Sequence, residues 1–205
     1  MDPLERLVEI FEHFPGIGPR QARRFVQFLL VQRPSFRTDL AQAIKELGSR
    51  TQQCALCFRW FAKSDSTERR CDICINQTRD SGVLFVVEKD ADIRNVEGSG
   101  FQGLYFVLGG TIPLATQEPE KQVRLRELIS RIDADGAQKK LKEIILGLSA
   151  TTEGDHTRLI LQEKIRPLAE GFNIKVSSLG RGLSTGSELE YADPDTLANA
   201  LHSRN

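Results

Sequence analysis

Apolar residues recur at helical spacing along the first fifty positions. Leu4, Leu7, Val8, Phe11 and Phe14 predict one apolar helix face. Pro15 and Gly16 stop that helix, and Gly18-Pro19 opens the next, with Pro19 at a first-turn position where its missing N–H costs nothing. In the second helix Ala22, Phe25, Val26, Leu29 and Leu30 share one face, while Arg20, Arg23, Arg24 and Gln27 share the opposite one. Leu40, Ala43, Ile44 and Leu47 form a further face, closed by Gly48 at the usual C-cap position, and complete a small helical module over 1–53.

From Ser81 the period changes. "VLFVVE" (83–88), "GLYFVLGG" (103–110), "LKEIILGLSA" (141–150) and "NIKVSSL" (173–179) predict strands. Helices are expected around Ile93–Glu97, over 119–132, over 156–171 with Gly171 as its end, and over 193–204. "LGRGLSTGSELE" reads as a loop or hairpin. Strands alternating with helices predict an α/β class with a mostly parallel sheet, its helices on both faces, and ligands or partners meeting the carboxyl ends of the strands. The expected core runs over 81–178, and 179–205 forms a C-terminal loop and helix.

Composition narrows this picture only a little. Lys plus Arg and Asp plus Glu both number 28, so net charge selects no partner. Residues 1–53 carry 8 basic and 6 acidic side chains against 15 and 18 over 81–205, a mildly basic front and a mildly acidic back. No apolar stretch approaches the roughly 20 residues of a membrane helix. The acidic, amphipathic start does not read as a signal peptide, so the expected compartment is the cytoplasm.

The turn "FPGIGPR" carries the first candidate chemistry. Gly16 and Gly18 flank Ile17 and let the backbone approach another surface, and free N–H groups at a helix N-terminus suit a phosphate oxygen. Arg20, Arg23 and Arg24 would extend that contact along a nucleic-acid backbone, with no base code. The bland alternative is a solvated basic face. With its turn attached, the stretch resembles the helix-hairpin-helix of non-specific DNA binders.

All four cysteines lie in "CALCFRWFAKSDSTERRCDIC": Cys54-x₂-Cys57, thirteen residues, Cys71-x₂-Cys74. Two such pairs place four thiolates around one tetrahedral ion and leave no open position, which predicts one structural Zn²⁺ per chain over 54–74. Disulfides and a redox pair are the rivals; a reducing compartment and the doubled motif speak against them. Phe58, Trp60 and Phe61 are expected to pack around the ion. Base stacking is the lesser alternative for them.

Acids gather at the predicted strand ends: Glu88 after the first, Glu153 and Asp155 after the third. They could hold Mg²⁺, cap a helix, or form a recognition surface. A phosphate-binding G-x-x-x-x-G-K-[ST] loop is absent, and His13, His156 and His202 lack spacing for metal or nucleophilic chemistry.

Glu88 and the Glu153-Gly154-Asp155 pattern resemble the Toprim domain of topoisomerases, primases and some nucleases. Joined to the hairpin, the four cysteines and "RGLSTGSELEYADPDTLANAL", they resemble the RecR family of recombination mediators over essentially the whole chain. That resemblance implies zinc on Cys54, Cys57, Cys71 and Cys74, DNA contacts at Gly16, Gly18, Arg20 and Arg24, and a Toprim face of Glu88, Glu153 and Asp155 that docks RecO. RecF is a second implied partner, as are ring-like homo-oligomers, typically tetramers, and a nucleoid-associated role in DNA repair. The chain departs from the family pattern in "YFVLGG", where a histidine commonly follows the tyrosine, and in "SATTEGD", where asparagine-proline commonly precedes the acids. The expected function is therefore a non-catalytic adaptor. The alternative is a metal-dependent Toprim nuclease acting through Glu88, Glu153 and Asp155, which needs only a metal-activated water.

Overall fold

A computed structural model describes residues 2–64, 67–116, 118–180, 182–183, 186 and 188–202. The chain divides into two compact units, Met1–Gln52 and Gln53–Asn205.

The first unit is helical. Helix α1 (Pro3–Glu12) begins where the Asp2 carboxylate accepts the Leu4 N–H at 3.0 Å. Helix α2 (Pro19–Val31) starts at Gly18. Val8, Ala22 and Val26 form a small buried cluster, with Leu7, Phe11 and Ile17 packed against it. Helix α3 (Pro34–Arg50) is longer than the predicted face and runs straight through Gly48, which is therefore no C-cap. Its early start is secured by Arg37, whose guanidinium donates to the carbonyls of Leu29 (3.1 Å) and Gln32 (2.9 Å) at the end of α2. No residue of α3 is buried: Leu40, Ile44 and Leu47 remain exposed, so this face is apolar but uncovered within the chain.

A two-stranded ribbon of β1 (Thr51–Gln53) and β2 (Trp60–Ala62) is followed by the short helix α4 (Asp72–Ile75). Strand β3 (Asp80–Val87) leads to α5 (Asp90–Gly98) and β4 (Gly103–Val107). Helices α6 (Pro119–Gln122) and α7 (Leu125–Ala137) precede β5 (Glu143–Gly147), α8 (Thr152–Phe172) and β6 (Lys175–Ser178). The sheet order is β4-β3-β5-β6, with every pairing parallel. Phe85 stands between Tyr105 and Ile145 in register, and Ile144 opposes Val176. A single 3₁₀ turn (Leu189–Tyr191) and α9 (Pro194–His202) follow. The expected loop over 179–190 falls partly on residues outside those described, and its last two residues enter the 3₁₀ turn.

The continuous apolar run of β3 means that both faces of the strand are buried. Leu84 and Val86 point into a cluster with Phe106, Ile144, Leu146, Leu128, Ile132, Leu161 and Ile165, closed by α7 and α8. Phe85 and Val87 point the other way, into a cluster with Tyr105, Val107 and Ile93 that also contains Cys54, Cys57, Cys71 and Ile73. The cysteine segment is thus a cover for the second face of the sheet.

Four boundaries in this unit differ from the sequence expectation. The helix expected over 119–132 is broken at Val123-Arg124, where Val123 is extended and buried and the Arg124 N–H donates to Leu108 O at 2.8 Å. Helix α8 starts at Thr152, because the Thr151 hydroxyl caps it by accepting the Gly154 N–H at 3.1 Å. It runs past Gly171 and ends at Asn173, which adopts the left-handed conformation (φ 56°). Strand β4 is shorter than predicted, since Gly109 and Gly110 turn the chain at φ 100° and 145°.

Candidate nucleic-acid interface, cysteine cage and strand-end acids

The α1–α2 turn exposes its backbone. Gly16 (φ 74°) and Gly18 are solvent-facing, and a Cβ at either would meet nothing within 4 Å. The N–H groups of Gly16, Gly18 and Arg20 take no backbone partner, whereas Gln21 and Ala22 both donate to Gly18 O at 3.0 Å. Arg20, Arg23 and Arg24 are exposed on the side of α2 away from Ala22 and Val26. Free N–H groups at a helix start and a guanidinium face are the ingredients of a phosphate contact.

The four cysteines converge. Their Sγ atoms all lie within 4.8 Å of one another, and Cys57 and Cys71 are 3.6 Å apart. Thiolates about 2.3 Å from a tetrahedral ion sit roughly 3.8 Å apart, so the cage matches the donor spacing of a four-sulfur metal centre. The Cys71 N–H donates to Cys54 Sγ at 3.3 Å. Hydrogen bonds from Cys57, Cys71 and Cys74 hold the Cys54 thiol far below its ordinary pKa, and the same crowding, with Cys54 the largest contributor, drives Cys74 far above it. Cys71 is also lowered, to about 7, and Cys57 is driven up. Two thiols therefore ionise readily and the other two resist until a cation offsets the charge, which is what couples such a cage to metal.

This segment docks on the sheet. Cys57 O accepts the Val107 N–H at 2.8 Å, Arg131 donates to Leu56 O at 3.2 Å, and Phe58 packs edge-on against Phe106 at 5.4 Å. Phe58 and Phe61 are partly buried as expected. Trp60 is not: it is 57% exposed, because β2 alternates and turns this side chain outward.

The strand-end acids are tied into the loops around them. Glu88, 8% exposed, accepts the Ser149 N–H through Oε1 at 2.5 Å. Glu153 and Asp155 occupy the first turn of α8, where the helix dipole favours negative charge. Thr111 donates to Glu153 Oε2 at 3.2 Å, and Arg158 pairs with Asp155 at 3.3 Å. Thr157, fully buried, donates to Glu153 O at 2.7 Å and accepts the Ile112 N–H at 2.8 Å. Among the described residues, the four cysteines are the one group of three or more candidate metal ligands drawn this close together.

Comparison with known proteins sets this arrangement in a family. A model described as "RecR, helix-hairpin-helix" matches residues 4–47, one described as "Toprim domain" matches 82–179, and one described as "RecR, C-terminal" matches 182–205. The chain is 38% identical over 204 residues to Recombination protein RecR of Synechococcus sp. (strain JA-3-3Ab), covering 98% of this chain and 96% of that one. The chain belongs to the RecR family. Recombination protein RecR of Prochlorococcus marinus (strain MIT 9515) is likewise 38% identical, over 98% of this chain and 95% of its own. That of Bifidobacterium longum subsp. infantis is 36% identical over 203 residues.

RecR membership places the chain among recombination repair proteins, with a helix-hairpin-helix module, a Toprim domain and a metal-ready cysteine cluster. Among the described residues no helix is long and apolar enough to cross a membrane. Sequence reasoning passes over Thr111, Thr151 and Thr157, the hydroxyls that join the Gly109–Ile112 loop and the α8 cap to the acids. Thr151 carries a signal, since threonine three residues before a buried glycine and beside two acids is a helix-start pattern.

Proposed function

We propose that this chain is a non-catalytic recombination mediator: it binds DNA without sequence preference and, with RecO and with RecF as a further partner, helps load recombinase onto single-stranded DNA. The observation that carries the DNA-binding role is the exposed Gly16-Ile17-Gly18 turn, with its unpartnered N–H groups beside Arg20, Arg23 and Arg24. Phosphate meets the turn and guanidinium groups follow the backbone, so affinity falls steeply with salt. In this proposal the cysteine cage holds one structural Zn²⁺ that stiffens the cover of the sheet. The exposed apolar face of α3 supports self-association into a ring-like homo-oligomer of the tetrameric kind, because an uncovered face of this length favours a second copy. Glu153 and Asp155, with Glu88 behind them, present negative charge suited to a basic docking partner such as RecO.

Binding of labelled DNA by metal-loaded protein tests the first role. Arg20→Glu/Arg24→Glu should weaken it by more than about tenfold, since each charge reversal turns an attraction for phosphate into a repulsion. Metal content and helicity should not change. Undiminished affinity would remove the helical unit from the mechanism. In the same preparation Glu153→Lys/Asp155→Lys should weaken RecO docking, and Mg²⁺ or Mn²⁺ should leave the DNA intact. Cleavage by the wild type but not by Glu88→Gln/Asp155→Asn would overturn the non-catalytic assignment.

A further inference from the structure

A cleft of about 550 Å³ lies between the cysteine segment and α5. Trp60, Arg59, Asn76, Arg79, Asp90 and Arg94 line it. Trp60 is the chain's single tryptophan and is 57% exposed, an expensive placement for a side chain whose burial usually dominates core energetics.

The tryptophan is exposed but not loose. Its backbone N–H donates to the Asp90 carboxylate. With the Gln53 amide turned so that its oxygen meets donors, that oxygen accepts from Trp60 Nε1 at 3.2 Å and from Arg124 Nη2 at 3.1 Å. The polar edge of the indole is thereby satisfied inside the fold, which leaves its apolar face for something else.

The charges of the wall sharpen what that is. Asp72 is paired with Arg59 at 2.9 Å, and Glu97 with Arg79. Asp90 is engaged by the Trp60 backbone. Arg94 has no ion pair among the described residues, so its guanidinium stands without a bonded carboxylate in the same wall as the exposed indole. Three arginines face three carboxylates, so the cleft as a whole is neutral and does not attract a polyanion by field alone. It offers a fixed π surface, a free guanidinium and a volume within the range of small-molecule sites. That combination suits a single unpaired base stacked on the ring with its phosphate at the guanidinium.

We propose that Trp60 and Arg94 form a stacking site for a base of single-stranded DNA. This rests on the DNA-binding role above and adds a strand preference to it, since the bases of an intact duplex are not free to enter. A base–aromatic contact of this kind changes affinity by roughly 5- to 150-fold on truncation to alanine.

Because Trp60 is the only tryptophan, its emission reports the site directly. Full-length, metal-loaded protein is titrated with a thymidylate oligomer while indole fluorescence is followed. Affinity is measured in parallel by anisotropy of the labelled oligomer and of a labelled duplex. The site predicts quenching on binding. Trp60→Ala should lose roughly 5- to 150-fold on the single strand and little on the duplex, while Trp60→Phe, which keeps a ring, retains most of the affinity. Arg94→Ala should reduce the salt slope by about 0.7, the value for one phosphate on a single strand. Metal content and circular dichroism of each variant establish that it folds. Oligomer bound with unquenched emission and unchanged Trp60→Ala affinity overturns the stacking site and leaves the DNA-binding role standing. Duplex bound but no oligomer bound by the wild type overturns the stacking site alone, and neither bound overturns both. Loss of RecO docking in Trp60→Ala with DNA affinity intact makes the cleft a protein-docking site and also overturns the proposal.

Discussion

Gly154 sits between the two α8 acids, and replacing it with alanine should destabilise the second unit although glycine is a poor helix former. An ideal Cβ at this position would lie 2.1 Å from the Ser149 carbonyl oxygen and 2.6 Å from Ser149 Oγ. The hydroxyl can rotate away, but the carbonyl cannot, because the Ser149 N–H is held by Glu88 and the Thr151 side chain is held by the Gly154 N–H. Overpacking of a close-packed site costs about 1–3 kcal/mol, and a clash against backbone falls at the upper end. The better helix propensity of alanine returns at most about 1 kcal/mol. The net is a loss of about 2 kcal/mol, a fall in Tm of about 4–8 °C for a unit of this size. Gly171→Ala in the same helix is the internal control. Its Cβ would meet nothing within 4 Å, so only propensity acts and Tm should rise by about 1–3 °C. Thermal melts of the metal-loaded protein, followed by circular dichroism or calorimetry, read both. A Gly154→Ala protein that melts with or above wild type would refute the close approach as the reason for glycine between Glu153 and Asp155.

Two further predictions follow from the second face of the sheet. Chelating the metal should uncover Phe85, Val87, Tyr105 and Val107, which share a buried cluster with three of the cysteines; at about 1.5–3 kcal/mol per fully buried side chain the cost is several kcal/mol, read as a large fall in Tm and a rise in dye binding. An unchanged melt after verified metal removal would separate the cage from the core. The Glu97 carboxyl meets opposition to its charge from burial, which hydrogen bonds from Arg79 and Tyr105 outweigh, so its pKa lies below the ordinary value. A depressed carboxylate contributes stability that is present above about pH 4.3, the unfolded value, and is lost as pH falls through the folded one. With Glu97 about one-third exposed, solvent screening holds that contribution to about 1 kcal/mol or less. Glu97→Gln should flatten the acid limb of the Tm–pH curve, and parallel limbs for variant and wild type would rule out the linkage.

What can be read from the sequence, and what cannot, divides along the range of the interactions involved. The period-2 and period-3.6 patterns report whether a residue is buried on its own element, so the helical front, the parallel strands and the cysteine quartet are legible. The faces of α2 fall where the spacing of Ala22, Val26 and the arginines puts them. The misplaced boundaries share a different cause. Gly48 and Gly171 look like stops, yet glycine in a helix costs only about 1 kcal/mol, and neighbouring turns carry the helix on. The break at Val123-Arg124 is a long-range event: the arginine leaves the helix to bond Leu108 and Val107 at the end of β4, which no local propensity encodes. Aromatics near a small metal site generally fill it, and that tendency alone would bury Trp60. The two-residue alternation of β2 decides otherwise, and it is visible only once the ribbon register is known.

The strand-end acids show why residue type alone leaves their role open. A carboxylate that binds Mg²⁺ must keep its oxygens available in a tight octahedron. Here the same carboxylates hold the loops together. Glu88 joins the end of β3 to the loop after β5, Gly109 donates to the Glu88 carbonyl at 2.9 Å, and Thr111 and Thr157 bind the loop after β4 to the first turn of α8. Three loops are joined by hydrogen bonds routed through Glu88, Glu153 and Thr157, of which the Thr157–Ile112 bond is buried. A surface ordered before it meets a partner loses less entropy on docking. The acids therefore fix the shape of the face they charge, and a docking role asks for both shape and charge.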